Sequence, residues 1–419
     1  MCKIILRNDI ETDREMKTKI ETKTKFERRL HRNIGLDYIA CFLQNLNMQN
    51  CIWVLYLSYC GLNLGQIGIL EGVYHITSMI FEIPSGAVAD LLGRKKSMII
   101  SRVLVAISCM LMLLSRNIWL FALSFFIQAL GNNFNSGSEE ALVYDSMKAM
   151  GKEEHYIGVN GKLNVIIEVS QGLATVLGGI LAEQSFMYCY GASLVIAVCA
   201  LLPVFLMVEA PFEKEEKKET GIIKMFANHF RLSYKILKSN KRILKVIVFF
   251  QGVFTAQTIL FFYSQQYFFD MGYNKIWISC FMLLFSVMSC AGALLSERIY
   301  AKYGNSITVM ASLVIAISIG IFLFQNIIVS LAGFAFAGFF NSLLYPIQSG
   351  MLNKMIPSEQ RATLISINSM FFSIGMIIIF PIAGLLADYF GLGRIFAGIS
   401  VILVLFVLIL GKRLGETRK

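Results

Sequence analysis

Twelve long apolar runs, separated by short interruptions, cover most of this 419-residue chain and constrain its fold more than any other feature. Since a bilayer core offers no water to the backbone, continuous runs of about 20 apolar residues form helices with internal hydrogen bonds. The composition agrees, because 56% of the residues are hydrophobic and only 16% are charged, against about 25% charged in soluble proteins. We therefore predict an all-α polytopic membrane protein with twelve transmembrane helices. The predicted spans are 34–58, 64–89, 97–115, 117–146, 160–183, 188–209, 243–267, 275–296, 305–325, 328–352, 363–386 and 393–410.

The distribution of Lys and Arg predicts the orientation of these helices. With the N-terminus inside, 35 of the 38 basic residues fall at cytoplasmic ends, and only Arg116, Lys275 and Arg394 lie outside. Because cytoplasmic loops of membrane proteins carry this excess, the formal net charge of +11 indicates topology rather than nucleic-acid binding. Both termini are predicted to be cytoplasmic, in a multi-pass protein of the cell membrane.

A charged connector divides the twelve spans into two sets of six. Two related halves are a common plan among transporters, and one weak repeat supports this plan here. Gly179-Ile180-Leu181-Ala182-Glu183 ends the fifth span, and Gly384-Leu385-Leu386-Ala387-Asp388 ends the eleventh. The predicted organisation is a cytoplasmic tail at 1–33, a six-helix bundle at 34–209, a connector at 210–242, a second six-helix bundle at 243–410 and a tail at 411–419.

The loop after the second span carries the most specific motif, Gly86-Ala87-Val88-Ala89-Asp90-Leu91-Leu92-Gly93-Arg94-Lys95-Lys96. It resembles the loop signature of the major facilitator superfamily, G-x-x-x-D-x-x-G-R-K, and lies between the same two spans. The resemblance implies two pseudo-symmetric six-helix bundles and a latch that joins them on the cytoplasmic side in the outward-facing state. The alternative is that the basic residues only anchor the loop at the membrane surface. The implied latch residues are Gly86, Asp90, Gly93 and Arg94, with Asp145 as the candidate partner of Arg94.

Two features bear on a closer resemblance to bacterial drug-efflux members of that family. Drug:proton antiporters carry a glycine-rich G-x8-G-x3-G-P-x2-G-G pattern in the fifth span, and this chain keeps the small residues without the proline. Close helix packing is a sufficient alternative explanation of those small residues. Antiporters also commonly have an arginine in the fourth span, where this chain has Ile127. The small residues in that register are Gly161, Ser170, Ala174, Thr175, Gly178 and Gly179.

Polar side chains recur along one face of several predicted helices. Residues spaced at i, i+4, i+7 and i+11 share a helix face, and at bilayer depth they need another helix or water as a partner. In the resembled family, spans one, four, seven and ten line the central cavity, and all four carry polar stripes here. For the amides and hydroxyls, hydrogen bonding between helices is the alternative. The cavity candidates are Asp37, Gln44, Gln128, Asn132, Asn135, Gln251, Thr255, Thr258, Asn341, Tyr345 and Gln348.

Ionisable side chains within the spans are candidates for proton coupling. Burying a carboxylate or histidine at bilayer depth costs free energy, so such a residue is a functional candidate by default. A position at the outer surface is the alternative for Glu71, and a structural hydrogen bond beside Pro84 is the alternative for Glu82. The candidates are Glu71, His75, Glu82, Glu139 and Glu168.

These residues also suggest a substrate class. A cavity with carboxylates, few basic residues and aromatics such as Tyr263 and Tyr345 favours cationic or neutral amphipathic solutes. Phosphorylated and dicarboxylate substrates usually require buried Lys or Arg.

The leading interpretation is a secondary transporter that works by alternating access and exports drug-like molecules in exchange for protons. The alternative is proton-coupled or facilitated uptake of a neutral polar nutrient, such as a sugar or a nucleoside. No Walker A motif occurs in the sequence, so a proton gradient rather than ATP is the expected energy source.

Other functional classes receive little support from the sequence. A membrane enzyme could use Glu71, His75 and Glu82 as acid–base groups, but no nucleophile or metal constellation accompanies them. The nine cysteines form no CxxC or Cys/His cluster, so no metal site and no cofactor is expected. The expected partners are a small-molecule substrate and the lipid bilayer, without nucleic acid, and the protein is expected to be a monomer.

Overall fold

The computed structural model describes residues 26–210, 240–355 and 361–415, together with Arg231, Leu237 and Lys238. These residues form twelve helical segments, so the predicted all-α architecture is confirmed. Most of the predicted tail and connector, and residues 416–419, lie outside the described residues. The segments are α1 in two pieces (26–45 and Trp53–Tyr59), α2 (Leu64–Leu92), α3 (Arg94–Leu114), α4 in two pieces (Ile118–Asn135 and Ser138–Ala149), α5 (Tyr156–Gln184), α6 in two pieces (Phe186–Cys199 and Leu201–Leu206), α7 (Lys241–Asp270), α8 (Lys275–Tyr303), α9 (Ser306–Gly320, followed by a 3-10 turn at Ile321–Phe324), α10 (Ile327–Asn353), α11 (Arg361–Phe390) and α12 (Leu392–Gly415).

Asparagine side chains set the starts of several helices. The first backbone N–H groups of a helix have no partner within it, and a short polar side chain at the N-cap supplies an acceptor. Such caps fix where the chain turns between neighbouring spans. They are Asn63 before α2, Asn117 before α4, Asn240 before α7, Asn274 before α8 and Asn326 before α10.

Besides α6, the helices α1 and α4 are interrupted along their length. The first helix is already present at 26, the first described residue, so it extends into the predicted tail. Its backbone leaves the helix between 46 and 52. The fourth is broken at Ser136 and Gly137, where Gly137 takes a left-handed conformation with φ of 75°, which glycine adopts without steric cost. Irregular backbone at bilayer depth is tolerated where it is buried or lines a cavity.

Nine of the described helices are long and apolar enough to cross a membrane. The remaining three spans are α1, α2 and α4. Both α1 and α4 are interrupted, and α2 carries Glu71, His75 and Glu82 along its length. Each of these three spans carries polar residues that were predicted to be functional.

The twelve helices form an N-terminal bundle (α1–α6) and a C-terminal bundle (α7–α12). The bundles meet along α2 against α11 and along α5 against α8, and the second piece of α1 also contacts α7. We call the end of the molecule that holds residues 26 and 415 the terminal face, and the other end the opposite face.

Glycines bring the bundles into close contact at the opposite face. Gly68 of α2 lies against the backbone of Pro381, and Gly384 of α11 lies against the carbonyl of Leu64. Gly179 of α5 packs on Ser279 of α8. A side chain at these positions would collide with the other bundle, so the seam is closed at this face.

Several glycines near the terminal face have no such close contact. An ideal Cβ at Gly86 of α2, at Gly158 or Gly161 of α5, or at Gly350 of α10 meets no described atom within 4 Å. Among the described residues, the close glycine contacts between the bundles are therefore found at the opposite face.

Large apolar side chains cover the outside of the helices. Trp119, Leu294 and Ile328 are each more than three-quarters exposed. A soluble protein rarely exposes apolar surface this continuously, whereas lipid tails match it well. The exposed surface thus suits a bilayer rather than water.

Candidate functional site

A central cavity of about 600 Å³ lies between the two bundles. One wall is rich in side-chain amides, and every amide comes from the N-terminal bundle. Amides donate and accept hydrogen bonds, so this wall can bind hydroxyl, carbonyl or amide groups of an uncharged solute. The amides are Gln44, Asn45, Asn47, Gln49, Asn50, Gln128, Asn132 and Gln171.

The facing wall is aromatic. Phe261 and Phe262 of α7 and Phe372 of α11 line the cavity from the C-terminal bundle. Trp53 of α1 meets Phe262 edge-on across the seam, with ring centroids 5.2 Å apart, and Phe125 of α4 on its own side at 5.6 Å. These rings provide apolar area with defined geometry. Phe and Trp within an apolar run give no periodic signal, so the sequence did not predict this wall.

One carboxylate and one imidazole face the cavity. Glu71 and His75 lie one turn apart on α2, with 3.5 Å between Glu71 Oε1 and His75 Nε2. The other ring nitrogen of His75 lies 3.3 Å from Ser373 Oγ of α11, across the seam. Among the described residues, the lining contains no Lys, Arg or Asp.

Six of the predicted residues therefore share the cavity. Gln44, Gln128, Asn132 and Thr258 line it as cavity candidates, together with the proton-coupling candidates Glu71 and His75. Asn132 also donates a hydrogen bond of 2.8 Å to the Tyr74 hydroxyl on α2, which holds its amide in place.

A second group of predicted residues forms a buried polar cluster inside the N-terminal bundle. Arg102 of α3, only 2% exposed, donates to Asn135 Oδ1 at 3.0 Å and lies 3.5 Å from Glu139 Oε2. The Asn135 amide donates to the same Glu139 oxygen at 2.6 Å and contacts Gln44 Oε1 at 3.4 Å. The cluster therefore touches the cavity through Gln44.

Asp37 of α1 completes this cluster. It is 1% exposed, and among the described residues neither of its carboxylate oxygens has a hydrogen-bond partner. Glu139 and Arg102 are its charged neighbours. Two carboxylates thus share one guanidinium at a buried site, where an uncompensated charge is costly.

A third polar group lies within the C-terminal bundle. Gln251 of α7 and Gln348 of α10 both donate to Asn368 Oδ1 of α11, at 2.6 and 2.8 Å. Thr255, which is buried, packs against Gly375 of α11. These predicted cavity residues instead join helices of one bundle.

The remaining predicted residues do not line the cavity either. Glu82 lies beside Ser366 of α11, and Glu168 accepts a hydrogen bond of 3.4 Å from the Cys290 thiol of α8. Asn341 lies within α10, outside the cavity lining. Tyr345 is 64% exposed and contacts Phe254.

Tyr263, proposed from the sequence as a cavity aromatic, is fully buried. Its hydroxyl lies 3.1 Å from each of two backbone carbonyls, those of Leu64 and Phe380, so the ring joins α2 to α11. The predicted cation–π contribution of Tyr263 and Tyr345 to a cavity is therefore not supported.

A comparison with protein families decides what kind of protein has this architecture. Residues 38–339 and 322–418 match the model of the Major Facilitator Superfamily, and together the matches cover most of the chain. The chain belongs to the Major Facilitator Superfamily. It is accordingly a membrane transporter, as the sequence analysis predicted at that level.

A curated relative and two solved transporter structures are similar to this chain at low sequence identity. The MFS-type transporter YxaM of Bacillus subtilis is 24% identical over 369 residues, which span 85% of this chain and 90% of that protein. The nucleoside transporter NupG has a TM-score of 0.72 at 14% identity, covering 93% of this chain and 100% of NupG. The D-xylose–proton symporter has a TM-score of 0.68 at 15% identity, covering 94% of this chain and 98% of its own.

The superfamily's loop signature packs against its own bundle in this conformation. Asp90 Oδ1 and Arg94 Nη1 form an ion pair of 2.7 Å. The Glu209 carboxylate, after α6, accepts from the backbone N–H groups of Arg94 at 2.6 Å and Lys95 at 3.1 Å, and so caps α3. Gly93 has a φ of 101°, and a Cβ there would meet this carboxylate. Glu209 lies 115 positions after Arg94 in the chain, so the motif alone did not predict this cap.

The other predicted latch residues lie around this loop. Gly86 has open space beside it, and Asp145 lies on the second piece of α4, where Arg94 is one of its charged neighbours. The latch function predicted for the outward-facing state thus remains a prediction.

No metal site accompanies these groups. Across the residues that the structure describes, no three His, Cys, Asp or Glu side chains come together to hold a metal ion. Members of this superfamily carry out transport without a cofactor, as the sequence predicted.

Proposed function

We propose that this protein is a proton-coupled transporter of a neutral or singly cationic amphipathic molecule, and that its terminal face is cytoplasmic. The main support for the proposal is the cavity. One wall consists of amides, the facing wall consists of aromatic rings, and the described lining contains no Lys or Arg. A solute with one polar and one flat apolar side would satisfy both walls. The positive-inside distribution supports the orientation.

The charge of the cavity argues against anionic substrates. Sites for phosphate or dicarboxylates usually supply Arg or Lys to the anion, and here the buried Arg102 is directed to Glu139 instead. Glu71, beside His75, is the carboxylate available to a cationic solute. The proposed range therefore runs from uncharged to singly positive molecules.

We assign the coupling proton to the cluster of Asp37, Arg102 and Glu139. With both carboxylates ionised, the cluster would bury a net negative charge, and a proton on Asp37 removes it. Arg102 reaches this site from α3, and so supplies the guanidinium that resembled antiporters commonly carry on their fourth span. Asn135 donates a hydrogen bond to Gln44 in the cavity. A substrate that binds Gln44 can therefore affect the proton site through Asn135.

For direction, we propose proton-driven export of drug-like molecules, following the resemblance to efflux members. Proton-coupled uptake of a nucleoside or sugar is the second candidate, because hydroxyl-rich solutes match the amide wall equally well. The fold is also similar to that of a nucleoside transporter and a D-xylose–proton symporter.

The test is transport by the purified protein in proteoliposomes with an imposed pH gradient. Ethidium, uridine and xylose serve as probes, with succinate as the anionic control. Export coupling predicts that ethidium moves against the proton flow, whereas the second candidate predicts that uridine or xylose moves with it. Transport of succinate alone, or transport that ignores the gradient, would contradict the proposal.

A further inference from the structure

Two carboxylates at the opposite face each cap a helix that belongs to the other bundle. Glu183, at the end of α5, accepts a hydrogen bond of 2.8 Å from the backbone N–H of Lys275, the first residue of α8. Asp388, at the end of α11, accepts two hydrogen bonds of 2.9 Å from the backbone N–H groups of Leu64 and Gly65, the first residues of α2.

These two contacts are related by the pseudo-symmetry of the bundles. In a fold of two six-helix halves, α5 corresponds to α11 and α2 corresponds to α8. Glu183 and Asp388 occupy the last position of the five-residue repeat at 179–183 and 384–388. The same repeat supplies Gly179, which lies against Ser279 and the Lys275 carbonyl, and Gly384, which lies against the Leu64 carbonyl. Each copy of the repeat thus places a glycine against the other bundle and a carboxylate at the start of a helix of that bundle.

Each capped helix also has a side-chain cap from its own bundle. Asn63 accepts from the third N–H of α2 at 2.8 Å, and Asn274 accepts from the third N–H of α8 at 3.0 Å. The first N–H groups therefore remain for a partner. A carboxylate is the strongest such acceptor, since it bears a charge and faces the positive end of the helix dipole.

A side chain of α7 makes a similar contact with α1. Gln265, which is fully buried, accepts from the N–H of Val54 and donates to the carbonyl of Asn50, each at 3.2 Å. The second piece of α1 has no side-chain cap of its own. Helix starts in α1, α2 and α8 are thus all capped across the seam.

We infer that Glu183 and Asp388 form a latch of two pseudo-symmetric contacts, and that this latch holds the opposite face closed. Opening that face separates α2 from α11 and α5 from α8, so both carboxylates must release their helices to water. Each latch contact then lowers the population of the conformer that is open at the opposite face. The inference rests on alternating access by this fold, and not on the proposed substrate or the proposed proton site.

Cysteine labelling measures this population directly. Cys51 is 3% exposed, lies at the closed seam beside Ser279, and can be kept as the single cysteine of the chain. A membrane-impermeant maleimide applied at the opposite face of sealed vesicles reaches Cys51 only when that face opens. A second reporter, Gly350→Cys, has open space around it near the terminal face and is labelled from that side.

The variants are Glu183→Gln, Asp388→Asn and the double variant, with Asp270→Asn as the matched control. Asp270 is an exposed carboxylate at the same face, and its hydrogen bond is to Gln266 of its own helix. Each single variant removes the negative charge of one cap, which predicts about three- to tenfold faster labelling of Cys51. The double variant should be faster still, with slower labelling of Gly350→Cys and no change in the control.

Two results would overturn the latch. One is a double variant that labels at the wild-type rate, and the other is faster labelling at both faces, which indicates loosened structure rather than a shifted equilibrium. If wild-type Cys51 is never labelled from the opposite face, alternating access itself fails, which is a distinguishable outcome.

Discussion

Arg102 of α3 and Glu139 of α4 lie 3.5 Å apart, between Nη2 and Oε2, inside the N-terminal bundle, although 37 residues separate them in the chain. Asn135 joins the pair by accepting from the guanidinium and donating to the carboxylate. Asp37 adds a second buried carboxylate to the same site. One arginine thus faces two buried acids, so the stability of this bundle should depend on Arg102.

Replacing Arg102 with Gln should destabilise the protein strongly. Removing one partner of a buried ion pair costs about 3–5 kcal/mol, because the remaining charges are left uncompensated. Protonation of Asp37 relieves part of that cost, so the loss should be larger at about pH 8 than at about pH 5. Thermal unfolding in detergent at the two pH values measures it.

Arg116→Gln is the matched control for that prediction. Arg116 is exposed in the loop between α3 and α4, and its replacement should change the free energy of unfolding by no more than about 0.5 kcal/mol. Equal losses in the two variants, or a loss at Arg102 that does not depend on pH, would show that Arg102 does not neutralise the cluster.

The amide cluster of the C-terminal bundle should also be sensitive to substitution. Asn368→Leu removes the acceptor shared by Gln251 and Gln348, and each buried donor left without a partner costs about 1–3 kcal/mol. Asn353→Leu, at the exposed end of α10, should cost much less. Unfolding temperatures in the same detergent compare the two, and similar losses would argue against a shared acceptor.

The two walls of the cavity should contribute separately to substrate affinity. Phe262→Ala removes part of the aromatic wall and Asn132→Leu removes part of the amide wall, so each should raise the KM of the transported probe about tenfold. Tyr345→Ala is the control, because Tyr345 is 64% exposed and lies outside the cavity lining. A larger effect at Tyr345 than at Phe262 would contradict the assigned cavity.

Hydropathy alone was enough to predict the helices. The backbone of a long apolar run has no water to bind at bilayer depth, and a helix satisfies its hydrogen bonds internally. It did not predict the breaks at 46–52 in α1 and at Gly137 in α4, which depend on local backbone conformation. The polar stripe of α4 is also shared between two sites, and the division does not fall at the break. Gln128 and Asn132 line the cavity, whereas Asn135 and Glu139 turn toward Arg102.

Helical spacing identifies side chains on one face but not what that face contacts. Gln348 and Tyr345 belong to one predicted stripe of α10, yet Gln348 is buried on Asn368 and Tyr345 is mostly exposed. The repeat ending in Glu183 and Asp388 was visible in the sequence as a sign of two related halves. Its capping contacts join different bundles, so they depend on tertiary packing that no local pattern encodes.

The proposed coupling makes Asp37 the residue whose loss should separate proton movement from substrate movement. In Asp37→Asn the cluster has one carboxylate for one guanidinium, so it no longer needs a proton to be neutral. Substrate can still enter and cross the protein, but its movement is no longer coupled to protonation of residue 37. Glu140→Gln, exposed beside Glu139 on the same helix, is the matched control.

Transport by Asp37→Asn in proteoliposomes is therefore the most direct test, measured once with a pH gradient and once as exchange of labelled for unlabelled substrate without a gradient. The account predicts that gradient-driven accumulation falls to the level of protein-free liposomes while exchange continues, and that Glu140→Gln retains both. Gradient-driven accumulation by Asp37→Asn at the wild-type level would contradict it.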